Sequence, residues 1–113
     1  MAKKKILVSI IMPYFNKKKF FKESLNSVLE QSFKNYEIII IFDGNDKTDL
    51  NFIKKEIKKK KNTKLIINKI NIGAGFSRNK GINIAKGRYI AFLDCDDLWK
   101  RNKLEKQIQF MKK

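Results

Sequence analysis

The sequence predicts an α/β protein built around a doubly wound, mostly parallel sheet. Short, continuous apolar runs alternate along the chain with longer stretches in which apolar residues recur every three or four positions, as strands and helices do in such proteins. The apolar runs show no polar alternation, which is typical of strands that are buried on both faces. A length of 113 residues is that of one domain with one hydrophobic core.

The first apolar run, residues 6–12, predicts strand one, and Pro13 is expected to end it. The run follows a lysine cluster, as in a secretory signal, but no small-residue cleavage site comes after it, so we interpret it as a buried strand. Phe21 and Leu25 then begin an apolar stripe at helical spacing. This stripe predicts helix one over about residues 18–31.

Strand two is predicted at residues 36–42, where four successive isoleucines favour a strand with both faces buried. After a polar turn, Leu50, Ile53 and Ile57 are three and four positions apart, so they give helix two a single apolar stripe. The remaining positions of that helix are rich in lysine, and we expect them to face solvent.

The third strand is predicted at residues 64–68, ahead of a glycine-containing loop. In the helix that follows, we expect Phe76, Ile82 and Ala85 to line the buried face. Gly87 stands where a left-handed residue commonly ends a helix, so we expect it to terminate helix three.

Strand four is predicted at residues 88–93, and residues 96–111 predict a last helix with Leu104, Ile108 and Met111 on its buried face. Right-handed crossovers and helices on both faces favour the strand order 3-2-1-4, a Rossmann-like arrangement. In that order the winding reverses between strands one and four. Ligands bind such sheets at this point, outside the carboxyl ends of the strands.

Three polar segments are expected to meet there, namely residues 13–16, 43–45 and 94–97. The last contains Asp94, Asp96 and Asp97, and carboxylates about 4 Å apart repel by about 4 kcal/mol per pair at an effective dielectric near 20. A divalent cation relieves this repulsion, and oxygen ligands suit Mg²⁺ or Mn²⁺, which also bind phosphates. The segment therefore predicts a site for a metal diphosphate, with Arg78 and nearby lysines adding positive charge.

Each of these polar residues also has a structural alternative. Asp96 or Asp97 would serve equally as the cap of the last helix. Asp43 is also a common turn residue before a glycine, and Asn16 is a candidate cap for helix one. Cys95 is expected to point away from its flanking aspartates, as a small packed residue and not a nucleophile.

The composition limits the partners. With 27 basic and 11 acidic residues the chain carries a net charge of +16, which either attracts polyanions or forms a solvated surface. The lysine runs lack the interleaved aromatic residues of single-strand binders, which argues against nucleic acid as a partner. The single cysteine excludes an internal disulfide, and without histidine nothing resembles a zinc-ligand cluster. We therefore expect a reducing, cytoplasmic setting. No apolar run approaches the ~20 residues that span a bilayer, so any membrane contact is expected to be peripheral, at the inner face.

Three segments of the chain together resemble the N-terminal, nucleotide-binding half of the inverting family 2 glycosyltransferases. They are VSIIMPYFN, SVLEQSFKNYEIIIIFDGN and NIGAGFSRNKGINIAKGRYIAFLDCDD. The resemblance implies a GT-A fold and a nucleotide-diphospho-sugar donor, with a UDP-sugar expected, for transfer to a glycan or lipid-linked acceptor. It also implies that Mn²⁺ or Mg²⁺ bridges the donor diphosphate to the D-x-D motif that begins at Asp94.

The resemblance also assigns roles to individual residues. Pro13, Tyr14 and Phe15 would lie along the nucleotide base, and Asp43 would hydrogen-bond it. The remaining donor contacts that it implies are Arg78, Asn79, Asp94 and Asp96. Asp94 and Asp96 would contact the ribose and the metal, and Asp97 competes with Asp96 for the metal role.

Two departures from the family pattern stand out. The family commonly has an acidic residue where this chain has Phe42, which leaves Asp43 to contact the base alone. The family also continues into an acceptor-binding half that carries the general base. We therefore expect residues 1–113 to form a single donor-binding domain that is inactive or weakly active on its own.

Two other functions are weighed against this one. In a haloacid-dehalogenase-like phosphotransferase, Asp94 would be the nucleophile and Asp96 the acid, but too few residues follow Asp97 for the further motifs such an enzyme needs. The second alternative is a non-enzymatic basic module that binds nucleic acid or an anionic membrane through its lysines. Such binding would survive the loss of Asp94 and Asp96.

Overall fold

The structure, a computed structural model, describes residues 5–111 of the chain. Strands and helices alternate in the predicted order from end to end. The elements are β1 (Val8–Tyr14), α1 (Lys18–Leu29), β2 (Tyr36–Phe42), α2 (Lys47–Ile57), β3 (Thr63–Ile67), α3 (Ala74–Ile84), β4 (Tyr89–Phe92) and α4 (Lys103–Met111).

The four strands form one parallel sheet in the order β3-β2-β1-β4, which confirms the predicted arrangement. β1 pairs with β2 along its whole length, from Val8 opposite Tyr36 to Tyr14 opposite Phe42. The winding reverses between β1 and β4. In such sheets a crevice lies outside the carboxyl ends of these two strands, and ligands bind there.

β1 runs further than predicted, because Pro13 lies inside it, opposite Ile41 of β2. Pairing of β1 with β4 ends where Ile11 meets Phe92. On the β4 side Pro13 therefore has no paired strand. Its missing N–H costs no hydrogen bond between strands there. The prediction that Pro13 ends the strand was wrong.

Helices cover the two faces of the sheet unequally. The larger core lies under α1, α2 and α4 and contains alternate residues of β2 (Tyr36, Ile38, Ile40 and Phe42), all buried. The other face is covered by α3 and holds a smaller cluster of isoleucines from β1 and β2. Because every residue of β2 is buried, its run of four successive isoleucines follows from its central place.

The buried face of α3 differs from the prediction. Phe76 is 68% exposed and Ile82 43% exposed, whereas the residues that face the sheet are Ser77 and Gly81. A Cβ added to Gly81 would lie 2.7 Å from Cγ2 of Ile11. The helix therefore packs so close to the sheet that only small side chains fit between them. Its large apolar side chains Phe76 and Ile82 are exposed, although periodicity predicted that they would be buried.

Gly87 does not end α3 in a left-handed conformation. The cap of this helix is Ala85, in extended backbone, and the glycine with positive φ among residues 5–111 is Gly73. A Cβ on Gly87 would lie 2.6 Å from the backbone nitrogen of Ser9. Gly87 is thus needed for a close approach of two backbones.

A buried carboxylate joins the loop before β4 to the sheet. Glu37 accepts hydrogen bonds from Ser9 Oγ (2.5 Å) and from the N–H of Lys86 (2.6 Å), and it pairs with Lys64 at 3.2 Å. Burial opposes ionisation of Glu37, but these hydrogen bonds and the nearby Lys64 outweigh it and lower the pKa of the carboxyl.

The last helix begins later than predicted, at Lys103. Asp96 and Asp97 therefore lie in a loop and do not cap it, so that alternative was wrong. Leu104 and Ile108 are buried as predicted, whereas Met111 is 45% exposed. The cap alternative for Asn16 was also wrong, because the residue at the start of α1 is Lys17, with no side-chain cap.

β4 lies at the edge of the sheet and pairs with β1. Its side chains Ile90 and Phe92 are exposed, as are Phe76 and Ile82 on α3 and Phe110 on α4. These side chains line two apolar grooves, one on each side of the strand. None of the helices between residues 5 and 111 combines the length and apolar content that crossing a bilayer requires.

Candidate functional site

A cleft of about 280 Å³ opens at the carboxyl ends of β1, β2 and β4. The polar segments that follow these strands converge on it, as the strand order predicts. The predicted residues that line it are Pro13, Tyr14, Phe15, Asp43, Arg78, Asp94 and Asp96.

The end of β1 forms one wall of the cleft. The Tyr14 ring is buried in the core, stacked on Phe42 with centroids 5.5 Å apart. Its hydroxyl donates to Asp49 Oδ2 at 2.8 Å, and burial together with this bond raises the pKa of Tyr14. Phe15, by contrast, is 48% exposed. The open aromatic surface on this wall therefore belongs to Phe15, and Phe42 supports the wall from inside.

Asp43 is buried at the end of β2 and holds the loop that precedes α3. Its Oδ1 accepts from Asn68 Nδ2 and from the N–H of Ile72, and its Oδ2 accepts from the N–H of Gly73, each at 2.8 Å. Its backbone carbonyl accepts from Asn71 Nδ2 at 2.9 Å. Asp43 is therefore more than a turn residue. A carboxylate has about four acceptor positions, so one remains for a ligand.

This loop fixes the start of α3, which places Arg78 over the cleft. The guanidinium of Arg78 donates to Asp94 Oδ1 at 3.0 Å, with both side chains partly exposed. Asn79, the next residue, lies outside the cleft, beside the apolar groove formed by Phe76, Ile82 and Phe92. The structure thus brings Arg78 to the predicted site and leaves Asn79 away from it.

The aspartates lie on a tight turn, closed by a hydrogen bond from the N–H of Asp97 to the carbonyl of Asp94 at 2.9 Å. Cys95, inside this turn, is buried and its thiol donates to the carbonyl of Pro13 at 3.3 Å. Burial and the charges of Asp94 and Asp96 raise the pKa of Cys95 to about 12. The prediction that Cys95 is a small packed residue is confirmed, and the expectation that it is not a nucleophile stays a prediction.

Polar side chains on α1 and just after its end hold the segment that carries the aspartates. Ser24 Oγ donates to the carbonyl of Asp97 (2.6 Å), and Ser27 Oγ accepts from the N–H of Trp99 (3.2 Å). The amide of Gln31 donates to a further backbone carbonyl of this segment at 2.6 Å. The sequence analysis missed these residues, although their spacing of three and four on an otherwise apolar face was a visible signal.

The three carboxylates form a group that fits a divalent ion. One oxygen from each of Asp94, Asp96 and Asp97 lies within 4.8 Å of the others, and all three residues are exposed. Such an all-oxygen set suits Mg²⁺ or Mn²⁺. A second cation, which the sequence analysis did not single out, joins Arg78 here, because Lys17 Nζ lies 3.2 Å from Asp96 Oδ2.

Known glycosyltransferase sequences are similar to this chain. The family described as "Glycosyl transferase family 2" matches residues 9–113. The uncharacterized glycosyltransferase MJ1057 of Methanocaldococcus jannaschii is 43% identical over 109 residues, which cover 95% of this chain and 38% of that protein. The enzyme named UDP-Glc:alpha-D-GlcNAc-diphosphoundecaprenol beta-1,3-glucosyltransferase WfgD, of Escherichia coli, is 42% identical over 107 residues, with coverages of 95% and 42%.

Solved structures share the fold. S. aureus TarS 1-349 in complex with UDP-GlcNAc superposes with a TM-score of 0.83 at 30% identity, over 94% of this chain and 31% of TarS 1-349. Mannosyltransferase PcManGT from Pyrobaculum calidifontis, in complex with GDP-Man and Mn²⁺, gives 0.86 at 18% identity, over 94% and 32%, and bears on the fold alone. Both are GT-A fold transferases.

The chain spans less than half the length of these relatives, 38% of MJ1057 and 42% of WfgD. The match begins at residue 9 and includes every segment that lines the cleft. The convergence of these segments, the GT-A fold and the family match lead to one conclusion. The chain belongs to glycosyl transferase family 2.

Proposed function

We propose that the cleft binds a nucleotide-diphospho-sugar together with Mn²⁺ or Mg²⁺. The observation that carries this proposal is a group of three carboxylates within 4.8 Å, two of which line the cleft together with two cations, Arg78 and Lys17. A diphosphate bound with a divalent ion uses both kinds of group, since carboxylates hold the metal and cations neutralise the phosphates. A UDP-sugar is the proposed donor, supported by the UDP-GlcNAc bound in TarS.

The base of the nucleotide is proposed to lie against Pro13 and the exposed ring of Phe15. The remaining acceptor position of Asp43 takes an N–H of the base. Tyr14 contributes to this wall from within the core. Asn79 is left out of the proposed site because it lies outside the cleft.

Asp94 and Asp96 are proposed to contact the ribose and the metal, with Asp97 as the alternative metal ligand. The bound metal would supply positive charge that stabilises the departing diphosphate. Arg78 and Lys17 add to that stabilisation from the protein side, because negative charge develops on the diphosphate as the sugar leaves. Cys95 takes no part, since its thiol is buried and directed at a backbone carbonyl.

For the whole protein we propose transfer of the sugar to a glycan or lipid-linked acceptor, a class suggested by the name of WfgD. An inverting transfer needs a base that deprotonates the acceptor hydroxyl. In the part of the chain that the structure describes, the cleft carboxylates already have roles with the metal or with the loop before α3. Residues 1–113 alone are therefore proposed to bind the donor and to transfer sugar poorly or not at all.

Calorimetric titration with UDP and with GDP, each with and without Mn²⁺, tests the proposal. We expect binding of UDP that depends on Mn²⁺ and is lost in the double variant Asp94→Asn, Asp96→Asn. Glu23→Gln, an exposed acidic position on α1, is the matched control and should bind as the wild type does.

Absence of metal-dependent binding for both nucleotides would refute the proposal. Nucleotide binding that persists in the double variant and falls steeply with salt would instead indicate general attraction to a chain of charge +16. That result would favour the basic-module alternative.

A further inference from the structure

Lys17 occupies a distinctive place at the cleft. It is the residue immediately before α1, and its carbonyl accepts hydrogen bonds from the N–H groups of Phe20 and Phe21 in the first helical turn. Its backbone is thereby fixed, and its side chain reaches Asp96, with Nζ 3.2 Å from Oδ2. The ammonium group therefore lies on a carboxylate of the group that fits a divalent ion.

The neighbouring lysines do not share this position. Successive residues on a helix point in directions about 100° apart. Accordingly, Lys18 Nζ lies over the ring of Phe52 at 5.4 Å, and Lys19 Nζ lies over the ring of Phe20 at 5.9 Å. Within this run it is Lys17 that lines the cleft.

A divalent ion and an ammonium group compete for the same carboxylate. An ion bound to Asp96 would meet the positive charge of Lys17 at close range, so the ion pair has to open before the metal binds well. A diphosphate in the cleft offers the displaced ammonium a new anion. Arg78 is in the same position on the other side, where it pairs with Asp94.

We propose that Lys17 is the internal counter-ion of the metal site: it pairs with Asp96 in the donor-free protein and moves to the diphosphate when metal and nucleotide bind together. This inference rests on the proposed function and adds a coupling to it. Metal and nucleotide each raise the affinity for the other by the same factor, because binding linkage is reciprocal. Lys17 contributes part of that factor.

The size of the effect follows from the exposure of the pair. The two side chains are 43% and 40% exposed, and exposed ion pairs shift an equilibrium by at most about fivefold. Replacing Lys17 with the uncharged Met is therefore expected to tighten binding of Mn²⁺ alone by up to about fivefold. The same variant should bind UDP alone more weakly, so its coupling factor between Mn²⁺ and UDP falls.

The experiment measures three dissociation constants, for Mn²⁺ alone, for UDP alone and for UDP at saturating Mn²⁺, in the wild type and in two variants. The variants are Lys17→Met, immediately before α1, and Lys22→Met, in the first half of α1, and each removes one positive charge. Lys22 is exposed and does not line the cleft. Folding should be preserved in Lys17→Met, because a cation near a helix N-terminus is electrostatically unfavourable.

Tighter Mn²⁺ binding and reduced coupling in Lys17→Met, with Lys22→Met unchanged, are the expected results. Equal behaviour of the two variants would overturn the inference. If Lys17→Met also changed Mn²⁺ binding in an Asp96→Asn background, the effect would not pass through the ion pair, and the inference would again fail. Failure of the wild type to bind UDP with Mn²⁺ is a different outcome, which removes the proposed function itself.

Discussion

Replacing Asp43 with asparagine tests whether one buried carboxylate organises the loop that carries α3 to the cleft. The side chain keeps its size but exchanges one accepting oxygen for an NH₂ group that donates. In the wild type, Oδ1 serves Asn68 and Ile72 while Oδ2 serves Gly73. The asparagine oxygen can retain the hydrogen bonds from Asn68 and Ile72. Its NH₂ group would face the N–H of Gly73, and because both groups are donors no hydrogen bond forms between them.

The expected cost is that of one hydrogen bond to a charged group, about 1.5–3 kcal/mol, since the N–H of Gly73 is left without its acceptor. In a domain of this size, 1 kcal/mol corresponds to about 4 °C in the melting temperature. Asp43→Asn is therefore expected to melt about 6–12 °C below the wild type. Nucleotide binding should weaken as well, because Arg78 reaches the cleft on the helix that this loop starts.

Urea unfolding followed by circular dichroism measures the free energy directly. Asp46→Asn is the matched control: Asp46 is exposed and caps α2 through a bond to the N–H of Thr48 at 2.8 Å, and asparagine caps a helix equally well. Its cost should stay below about 0.5 kcal/mol. Equal, small costs for both variants would refute the reasoning that Asp43 holds the loop.

Three further predictions concern the core and its ionisable groups. Gly81→Ala should lower the free energy of unfolding by about 1–3 kcal/mol, because the added methyl group overpacks against the sheet. Gly75→Ala, with open space around it, should leave that free energy unchanged. Urea midpoints compare the two variants, and equal midpoints would contradict the close packing of α3. Since the pKa of Glu37 is lowered on folding, the stability it contributes is present above about pH 4.5 and is lost as the pH falls through its folded pKa. Urea midpoints at neutral and acidic pH should therefore show a smaller acid loss in Glu37→Gln than in the wild type, and an equal loss would be evidence against the lowered pKa. Cys95, with a pKa of about 12, should resist a thiol reagent at pH 8 until the protein unfolds, and rapid modification of the native protein would show that the turn is open.

Apolar periodicity predicted the fold because most elements bury one continuous surface. β2 is the plainest case: four isoleucines in succession have only one stable place, at the centre of the sheet. The same logic failed for α3, where contact with the sheet through Ser77 and Gly81 left Phe76 and Ile82 exposed. Periodicity detects large apolar side chains and gives no signal for a helix that packs through small ones.

The candidate site was predictable only in part. The strand order alone placed Asp43 and the aspartates after β4 at one edge, since parallel strands end on the same side. The conformation between Asp97 and α4 was not predictable from local sequence. Its backbone bonds to Ser24 and Ser27 of α1, and to Gln31 just after that helix, are long-range contacts that override the helical tendency of the segment. The pairing of Lys17 with Asp96 depends on that same conformation.

The open edge formed by β4 bears on how the protein behaves in concentrated solution. The exposed apolar side chains of Ile90 and Phe92 favour association with a second molecule, whereas a net charge of +16 makes identical molecules repel each other. That repulsion reaches about 10 Å in 0.1 M salt and only about 3 Å in 1 M salt. The lysines therefore keep these chains apart in solution. At high salt their repulsion is screened, and the apolar β4 edges of neighbouring molecules can come into contact.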